Sequence, residues 1–331
     1  MLRAAQAVHT RRRLGLLAAV ATLAAACTYL SVGVGRSETR PRRGVNAVAR
    51  LRRIDATTAR YSAQAPLPVP PRLRVTAPVH ATASWTTVAQ VRGQSAAWLA
   101  QHSGVTLMRF DQRLVHLTLH AGSSDGGTSG WTYGDRISPR EIHLILAAFN
   151  GGFKLTYRDV GFTSGGHVAV ALKAGLASIV TYTDGTTDIG AWRAGVPNTH
   201  KAIFSVLQNQ RLLVDRGVAA ASVSSCILAC WGETIGSRTS VARSGLGVTA
   251  SGQLVWAAGE ELRPAELASA LIAAGAVRAI ELDINPFWVA GYLYVHHPSG
   301  PSAVPVVPAQ HGIAGELLEP SSRDFLAIVA N

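Results

Sequence analysis

Cysteine is scarce in this sequence, with three residues in a chain of 331. Cys27 lies in an apolar run near the N terminus, and Cys226 and Cys230 lie close together in the second half. No second Cys/His pair follows them at a spacing that would complete a zinc site, which argues against a zinc protein. In an oxidising compartment, Cys226 and Cys230 could instead form a disulfide that closes a small loop.

Nucleotide-binding motifs are also absent. The sequence has no Walker loop, and no G-x-G-x-x-G opens a helix, which argues against a nucleotide-binding protein. The segment Gly122–Gly126 has the letters G-x-S-x-G. A nucleophile elbow leads from a strand into a helix, whereas a glycine-rich loop follows here, so the sequence gives little support to a serine hydrolase triad.

Charged side chains are missing from Leu14–Gly35, an apolar run long enough to cross a membrane as a helix. Three arginines, residues 11–13, stand directly before it, as in the n-region of an export signal. Cys27 hints at a lipoprotein signal, but Leu23 is one position too far from it. The sequence therefore predicts a basic cytoplasmic n-region (1–13) and a signal or transmembrane segment (14–35), and it favours a signal anchor over lipidation.

Positive charge is confined to the N-terminal part of the chain. The formal net charge is +12, and residues 1–75 hold 14 arginines and two acidic residues. Residues 76–331 hold 17 basic and 17 acidic residues, so this part has no basic excess to attract nucleic acid. We predict an Arg/Pro-rich linker over 36–75, followed by one domain over 76–331, on the cell membrane or secreted, and in either case extracytoplasmic.

The domain shows many strand patterns and few helix patterns. The clearest helix is predicted over Pro264–Ala274, closed by Gly275, and Ser138 with Glu141 has the spacing of a capping box that begins another helix. Leu246–Thr249 and Leu254–Ala258 flank a Ser-Gly turn and predict a hairpin. We therefore expect an α+β fold (mixed α/β): a strand-rich twisted sheet core with a few packed helices, as a single domain behind the N-terminal membrane segment.

Three clusters of residues could carry chemistry. The first is Asn150–Gly152, whose glycines permit close approach of a ligand or simply form an Asn-Gly turn. In the second, Arg243 beside Ser244 could bind phosphate or be a surface arginine that enters a strand. The third follows a buried apolar strand: Glu281 and Asp283 could act as paired acid and base, bind a cation, or cap the following turn.

The order of these clusters resembles that of the phosphodiester glycosidase family. The matching segments are NGGF at Asn150–Phe153, RSGLG at Arg243–Gly247, a helix closed by Gly275, and AIELD at Ala279–Asp283. The resemblance implies a hydrolase that cleaves sugar-1-phosphodiester bonds, with cell-envelope glycopolymers as one source of substrate. It implies a carbohydrate phosphodiester as partner. The apolar run adds the membrane through residues 14–35, and the neutral net charge of residues 76–331 argues against nucleic acid.

The resemblance also implies roles for individual residues. The implied catalytic residues are Asp283 as nucleophile or base, Glu281 (or another acid such as Glu260) assisting, and Arg243 on the phosphodiester. The implied substrate-binding residues are Asn150, Gly151, Gly152 and Ser244, and Asn285, which lies two positions after Asp283, is a further candidate. This pattern requires no cofactor, although Glu281 and Asp283 could bind a divalent cation.

This chain departs from the family pattern directly after Asp283. The family has two glycines there, whereas this sequence has Ile284 and Asn285. If the family's glycines let a substrate approach the backbone, the site of this chain is narrower or has a different shape. Two alternatives therefore stay open: a binding module for envelope glycopolymers that lacks activity, and an exported metal-dependent phosphoesterase with Glu281 and Asp283 as ligands.

Overall fold

The computed structural model describes residues 84–331 apart from Asp125, residues 127–129 and residues 158–159. The predicted n-region (1–13), membrane segment (14–35) and linker (36–75) lie outside the described residues. Among the residues that are described, none of the helices combines the length and apolar character needed to cross a membrane.

The described part of the chain consists mainly of strands. In chain order the strands are β1 (Thr86–Val91), β2 (Gln94–His102), β3 (Val105–Phe110), β4 (Val115–His120), β5 (Ile145–Asn150), β6 (Phe162–Ser164), β7 (His167–Val170), β8 (Ala177–Tyr182), β9 (Thr187–Ala191), β10 (Ile203–Asn209), β11 (Leu212–Asp215), β12 (Val218–Ala219), β13 (Val241–Thr249), β14 (Leu254–Leu262), β15 (Ala276–Glu281), β16 (Gly291–His297), β17 (Gly300–Pro305) and β18 (Phe325–Ala330). The helices are α1 (Ser222–Ser225), α2 (Ile227–Trp231) and α3 (Pro264–Ala273), with short 3-10 turns at Ile235–Ser237 and Ala314–Leu317.

The strands form three antiparallel sheets. One has eight strands in the order β1-β2-β3-β14-β13-β15-β11-β12, and the other two have five each, in the orders β7-β6-β10-β8-β9 and β17-β16-β5-β18-β4. Strands account for 45% and helices for 10% of the structure, so the fold is mostly β. The predicted α+β class is therefore wrong. Its error was to count weak helix patterns, such as the one at Ser138, as packed helices.

Both faces of the eight-stranded sheet are buried. On one face, Val255 of β14 packs with Leu267 and Leu271 of α3. On the opposite face, the next residue along β14, Trp256, joins a core that contains Phe149 of β5. Successive side chains of a strand point to opposite faces, so β14 must be apolar at consecutive positions to serve both cores.

The helix predicted to begin at Ser138 does not form. Its capping-box bonds are present, since Ser138 N–H donates to Glu141 Oε2 (3.0 Å) and Glu141 N–H donates to Ser138 Oγ (3.3 Å). These bonds close a turn, and the chain then enters β5, which pairs with β16 and β18. Long-range strand pairing outweighs the local helix signal here, because it satisfies the same backbone groups and also buries the apolar run.

Helix α3 and the β13–β14 hairpin form where the sequence predicts them, so both predictions are confirmed. The helix begins at Pro264, and the Glu266 side chain accepts the Arg263 N–H at 2.7 Å, which satisfies one backbone donor at its start. The hairpin turns at Thr249–Gly252, where the Gly252 N–H donates to Thr249 O. Both elements depend on residues close in sequence, which is why the sequence predicts them.

Candidate active site

The candidate site forms where β13 and β15 run side by side and the chain leaves β15. Gly245 of β13 lies opposite Glu281 of β15. The pairing continues past the end of β15, since Ser244 N–H donates to Asp283 O at 3.0 Å and Leu282 N–H donates to Ser244 O at 2.8 Å. The backbone of Asp283 is therefore held by β13, which fixes the position from which the Asp283 side chain extends.

Asp283 is 4% exposed, and its carboxylate is held by three donors. Oδ1 accepts the N–H groups of Ile284 (2.7 Å) and Asn285 (2.9 Å), and Oδ2 accepts Arg323 Nη2 (3.1 Å). Burial raises the pKa of Asp283 above its ordinary value, and the charge of Arg323 opposes that rise. The carboxylate thus caps the following turn, as one of the sequence interpretations has it, and it is also paired with a cation.

Arg243 and Glu281 form an ion pair deeper in the protein. Arg243 is 0% exposed; its Nη1 donates to Glu281 Oε1 at 2.7 Å and to Trp231 O at 3.1 Å, and its Nε donates to Leu262 O at 2.8 Å. Burial raises the pKa of Glu281 to about 7, against the lowering effect of Arg243. Arg243 Nη2 and Glu281 Oε2 have no hydrogen-bond partner among the described residues.

Asn150 and Ser244 are buried beneath Asp283. Asn150 Nδ2 donates to Ser244 Oγ (2.8 Å) and to Gly151 O (2.9 Å), and the Asp283 N–H lies 3.3 Å from Ser244 Oγ. These contacts join the end of β5 to β13 and to the backbone of Asp283. In this structure the two side chains connect the strands under the site.

The close approach at Gly151 and Gly152 is to the protein's own segment before β18. Gly151 N–H donates to Asp324 O (3.1 Å), and Gly152 N–H donates to Asp324 Oδ2 (2.9 Å). A side chain at position 151 would collide with the Asp324 carboxylate. The glycine is therefore needed for Asp324, whose neighbour Arg323 in turn donates to Gly152 O at 2.7 Å.

Asp283 opens onto a pocket of about 170 Å³, which we call the Asp283 pocket. Two cations and two anions face it, together with apolar and amide side chains; the lining residues are Phe153, Lys154, Tyr157, Gly232, Glu233, Asp283, Ile284, Asn285 and Arg323. Of the residues predicted from sequence, Asp283 and Asn285 therefore line the pocket. Arg243, Glu281, Asn150 and Ser244 lie behind it.

Sequence reasoning missed Lys154, Glu233 and Arg323. Arg323 is 40 positions after Asp283, and no motif connects the two. One signal was available: Arg323 and Asp324 stand directly before the apolar strand β18, and Asp283 follows β15 with only Leu282 between them. Charged residues beside a buried strand need partners, so the two ends could have been matched.

Ile284, where the family pattern has glycine, lines the Asp283 pocket. A side chain at Gly232 would collide with Ile284 Cδ1 and would approach the ring of Phe153. Gly232 also has φ +101°, a backbone conformation that residues other than glycine rarely adopt. Ile284 and Gly232 therefore fit each other across the pocket wall.

Cys226 and Cys230 form a disulfide with a Cα–Cα distance of 5.4 Å. It joins the residue before α2 to a residue within it, and Trp231, Gly232 and Glu233 follow at once. The disulfide thus closes the short helical turn that leads into the wall of the Asp283 pocket.

The described residues contain no group of three or more His, Cys, Asp or Glu side chains that could hold a metal ion. Asp283 and Glu281, the two ligands considered from sequence, instead pair with Arg323 and Arg243. A positive guanidinium at each carboxylate competes with a cation for the same oxygens, so we do not propose the metal-dependent phosphoesterase.

Comparisons with known proteins give distant similarities only. No protein-family model and no curated protein matches the chain. Among solved structures, the zebrafish N-acetylglucosamine-1-phosphodiester alpha-N-acetylglucosaminidase catalytic domain, auto-inhibited by its pro-peptide, is 16% identical with a TM-score of 0.45, over 75% of this chain and 81% of that one. A hypothetical protein from Synechocystis is 12% identical with a TM-score of 0.39, over 72% of this chain and 63% of that one. Similarities at this level carry no argument about activity.

Proposed function

We propose that this protein hydrolyses phosphodiester glycosides, releasing the sugar and a phosphate monoester. The observation that carries the proposal is the Asp283 pocket, in which a buried carboxylate lies 3.1 Å from the guanidinium of Arg323 and Lys154 supplies a second cation. When a sugar-1-phosphodiester is hydrolysed, the anomeric carbon becomes electron-poor and the phosphate leaving group gains negative charge. A carboxylate can stabilise the first change, and two cations can stabilise the second.

The proposed chemistry follows from that pairing. As nucleophile, Asp283 forms an ester with the anomeric carbon that water then hydrolyses; as base, it takes a proton from the water molecule that attacks this carbon. The bond from that carbon to the phosphate oxygen breaks, and its electron pair leaves with the phosphate monoester. Arg323 and Lys154 stabilise the added charge. Glu233 is the second carboxylate at the pocket, and we propose it as the assisting acid or base.

In this mechanism Arg323 contacts the phosphate of the substrate, and Arg243 does not. Arg243 is 0% exposed and donates to Glu281, Trp231 and Leu262. We propose that Arg243 and Glu281 hold the strand ends on which Asp283 is placed. We further propose that the protein works outside the cytoplasm, and the Cys226–Cys230 disulfide supports this because disulfides persist in oxidising compartments.

The test is turnover of a panel of sugar-1-phosphate methyl esters by residues 76–331 and by variants. Asp283→Asn should lower kcat by about 10²–10⁴-fold, because it removes the nucleophile or base. Asp215→Asn is the matched control, since Asp215 is exposed at the end of β11 and does not line the pocket. Circular dichroism checks that each variant is folded. Unchanged turnover in folded Asp283→Asn protein would contradict the proposal.

A specific observation favours one competing function, a binding module without activity. Both oxygens of Asp283 are already held by donors, and Ile284 lines the pocket where the family pattern has glycine. A carboxylate so well satisfied is a weaker nucleophile. If the unmodified protein binds sugar phosphodiesters but releases no sugar from any of them, the binding module is the correct function.

A further inference from the structure

A second pocket, of about 390 Å³, lies at the other end of β13 from Asp283. We call it the Arg278 pocket, after a side chain that lines it. Ser244, which pairs with Asp283, and Thr249, which lines this pocket, are five residues apart on β13. That spacing corresponds to about 17 Å of extended chain. The two pockets share no lining residue, and the volume of the Arg278 pocket is in the range of about 300–1,000 Å³ that holds small molecules.

Hydrogen bonds fix the walls of the Arg278 pocket. Gln112, in the turn after β3, donates from Nε2 to Gly252 O at 2.6 Å and to Thr187 O at 3.0 Å. Its Oε1 accepts the Thr187 N–H at 2.6 Å, so Gln112 joins the β13–β14 turn to the start of β9. Elsewhere in the lining, Tyr182 Oη accepts the Asn198 N–H at 2.7 Å. Because the protein's own bonds hold these walls, a ligand does not have to order them on binding.

Each of the three cations that line the Arg278 pocket is already paired with a carboxylate. The pairs are Arg113–Asp111, Lys201–Asp184 and Arg278–Asp188. An anionic ligand would compete with these carboxylates for the cations and would be repelled by them. A metal ion would meet the same conflict with the guanidinium and ammonium groups. The pocket is therefore suited to a neutral ligand.

The Arg278–Asp188 pair keeps hydrogen-bonding groups for such a ligand. Arg278 Nη2 donates to Asp188 Oδ1 at 2.6 Å, and the same oxygen accepts the Ile189 N–H at 2.8 Å. Both hydrogen bonds that Asp188 accepts among the described residues go to Oδ1, so Oδ2 can accept another. A guanidinium has several N–H donors, so Arg278 can donate further bonds. The side chains of Arg278 and Asp188 are 28% and 29% exposed, so a ligand can reach them.

The rest of the lining favours a ligand with several hydroxyl groups. Val248 and Ala250 are the only aliphatic side chains among the described residues that line the pocket, which does not suit an acyl chain. The hydroxyl groups of Thr249 and Ser251, 3.0 Å apart, add a further donor and acceptor. Neighbouring hydroxyl groups of a sugar each donate and accept hydrogen bonds, so they match a guanidinium that stands beside a carboxylate.

We propose that the Arg278 pocket binds a neutral carbohydrate, with Arg278 and Asp188 as the pair that binds neighbouring hydroxyl groups of one sugar ring. This site is separate from the Asp283 pocket, and the proposal does not depend on hydrolysis there. A chain with such a site can stay attached to a glycan whether or not Asp283 cleaves one.

The test is an NMR titration of the full-length protein in a detergent without a sugar head group. The ligands are methyl α-glucoside, methyl α-mannoside, methyl N-acetyl-α-glucosaminide and inorganic phosphate. Carbon-13 labels in the threonine methyl groups locate binding, because Thr186, Thr187 and Thr249 line the pocket. At least one glycoside should shift these three signals saturably, and phosphate should not. Asp283→Asn should leave the shifts unchanged, so failure of the proposed hydrolysis and failure of this site are distinguishable.

The double variant Asp188→Val/Arg278→Val removes the pair without leaving a charge unpaired, and valine suits both strands. It should weaken glycoside binding by about 10-fold or more, because hydrogen bonds to charged groups are lost. The matched control Asp135→Val/Arg136→Val removes another ion pair, which lines neither pocket, and should bind as the unmodified protein does. Circular dichroism checks the fold of each variant.

Three results would overturn the proposal. The first is that no glycoside shifts the three threonine signals of the unmodified protein, which decides the matter even if a variant fails to fold. The second is that phosphate shifts them and the glycosides do not, which would make the pocket an anion site. The third is that the folded double variant binds the glycoside as tightly as the control does.

Discussion

Glu281 beside the candidate site and Glu141 before β5 both have buried carboxylates, yet the pKa of Glu281 is raised and the pKa of Glu141 is lowered. Glu281 is 3% exposed and Glu141 is 5% exposed. Burial raises the pKa of Glu281 to about 7. Burial also acts to raise the pKa of Glu141, but His120 and Ser138 outweigh it and hold that pKa at about 2. A low exposed fraction alone therefore does not decide the direction of the pKa shift.

The two carboxylates differ in how many donors reach them. Glu141 Oε1 accepts Thr118 Oγ1 at 2.9 Å and lies 3.2 Å from His120 Nε2, while Oε2 accepts the Ser138 N–H at 3.0 Å. Glu281 Oε1 accepts Arg243, but Oε2 has no partner among the described residues. Hydrogen bonds favour the charged form, and of these two carboxylates the one with more donors has the lowered pKa, while the one with an unpartnered oxygen has the raised pKa. Perturbed groups of the second kind cluster at functional sites.

The largest expected effect comes from removing Arg243, the cation that pairs with Glu281. Arg243→Leu leaves the Glu281 carboxylate buried and alone, which should lower the free energy of unfolding by about 3–5 kcal/mol at pH 8. The loss should be smaller at pH 5, where Glu281 holds a proton. Urea denaturation at both pH values measures this.

The double variant Arg243→Leu/Glu281→Leu is the control for that experiment. It removes both charges and replaces them with apolar side chains, so it should recover most of the lost free energy of unfolding. If the double variant is no more stable than Arg243→Leu, lost packing explains the effect and the unpaired carboxylate does not.

The raised pKa of Glu281 gives a second expected effect, on the pH dependence of stability. Between pH about 4.5 and about 7 the folded protein holds a proton that the unfolded chain has released, so the free energy of unfolding falls as pH rises through this window. The shift corresponds to at most about 3 kcal/mol. Glu281→Gln has no such proton and should lack this slope in urea denaturation. An identical slope in both proteins would show that the pKa of Glu281 is not raised.

Glu141 should show the opposite behaviour in acid. Its folded pKa of about 2 is below the ordinary value, so its contribution is present above pH about 4.5 and is lost as pH falls towards about 2. This contribution is on the order of 2–3 kcal/mol. Glu141→Gln should be less stable at neutral pH by up to that amount and should lose less stability on acidification, whereas Glu319→Gln, an exposed control, should behave as the unmodified protein does.

The sequence predicts those parts of the fold that depend on neighbouring residues. Helix α3 and the β13–β14 hairpin follow from caps, turns and periodicity within one segment. The position of Asp283 at the end of a buried strand follows in the same way, because an apolar run and the acid after it are adjacent in sequence. Its exposure to a pocket is a further property that only the packed structure shows.

The rest of the site depends on contacts between distant segments. Arg323 meets Asp283 because β18 pairs with β5 and brings the segment before it to Gly151 and Gly152. A single sequence contains no signal for that pairing. For the same reason the sequence predicts a helix start at Ser138: the local bonds are the same in a capping box and in the observed turn, and the strand pairing of the following residues decides between them.

The smallest expected effect tests the number of donors directly. Thr118→Val has nearly the same shape but removes the hydroxyl that donates to Glu141 Oε1. It should lower the free energy of unfolding by about 1 kcal/mol and raise the pKa of Glu141, because the ionised form loses one hydrogen bond. NMR titration of the Glu141 side-chain carboxyl should show its midpoint moving up from about 2, towards the behaviour of Glu281. An unchanged midpoint would mean that His120 and Ser138 keep Glu141 acidic without Thr118, and the contrast with Glu281 would then not depend on the count of hydrogen bonds.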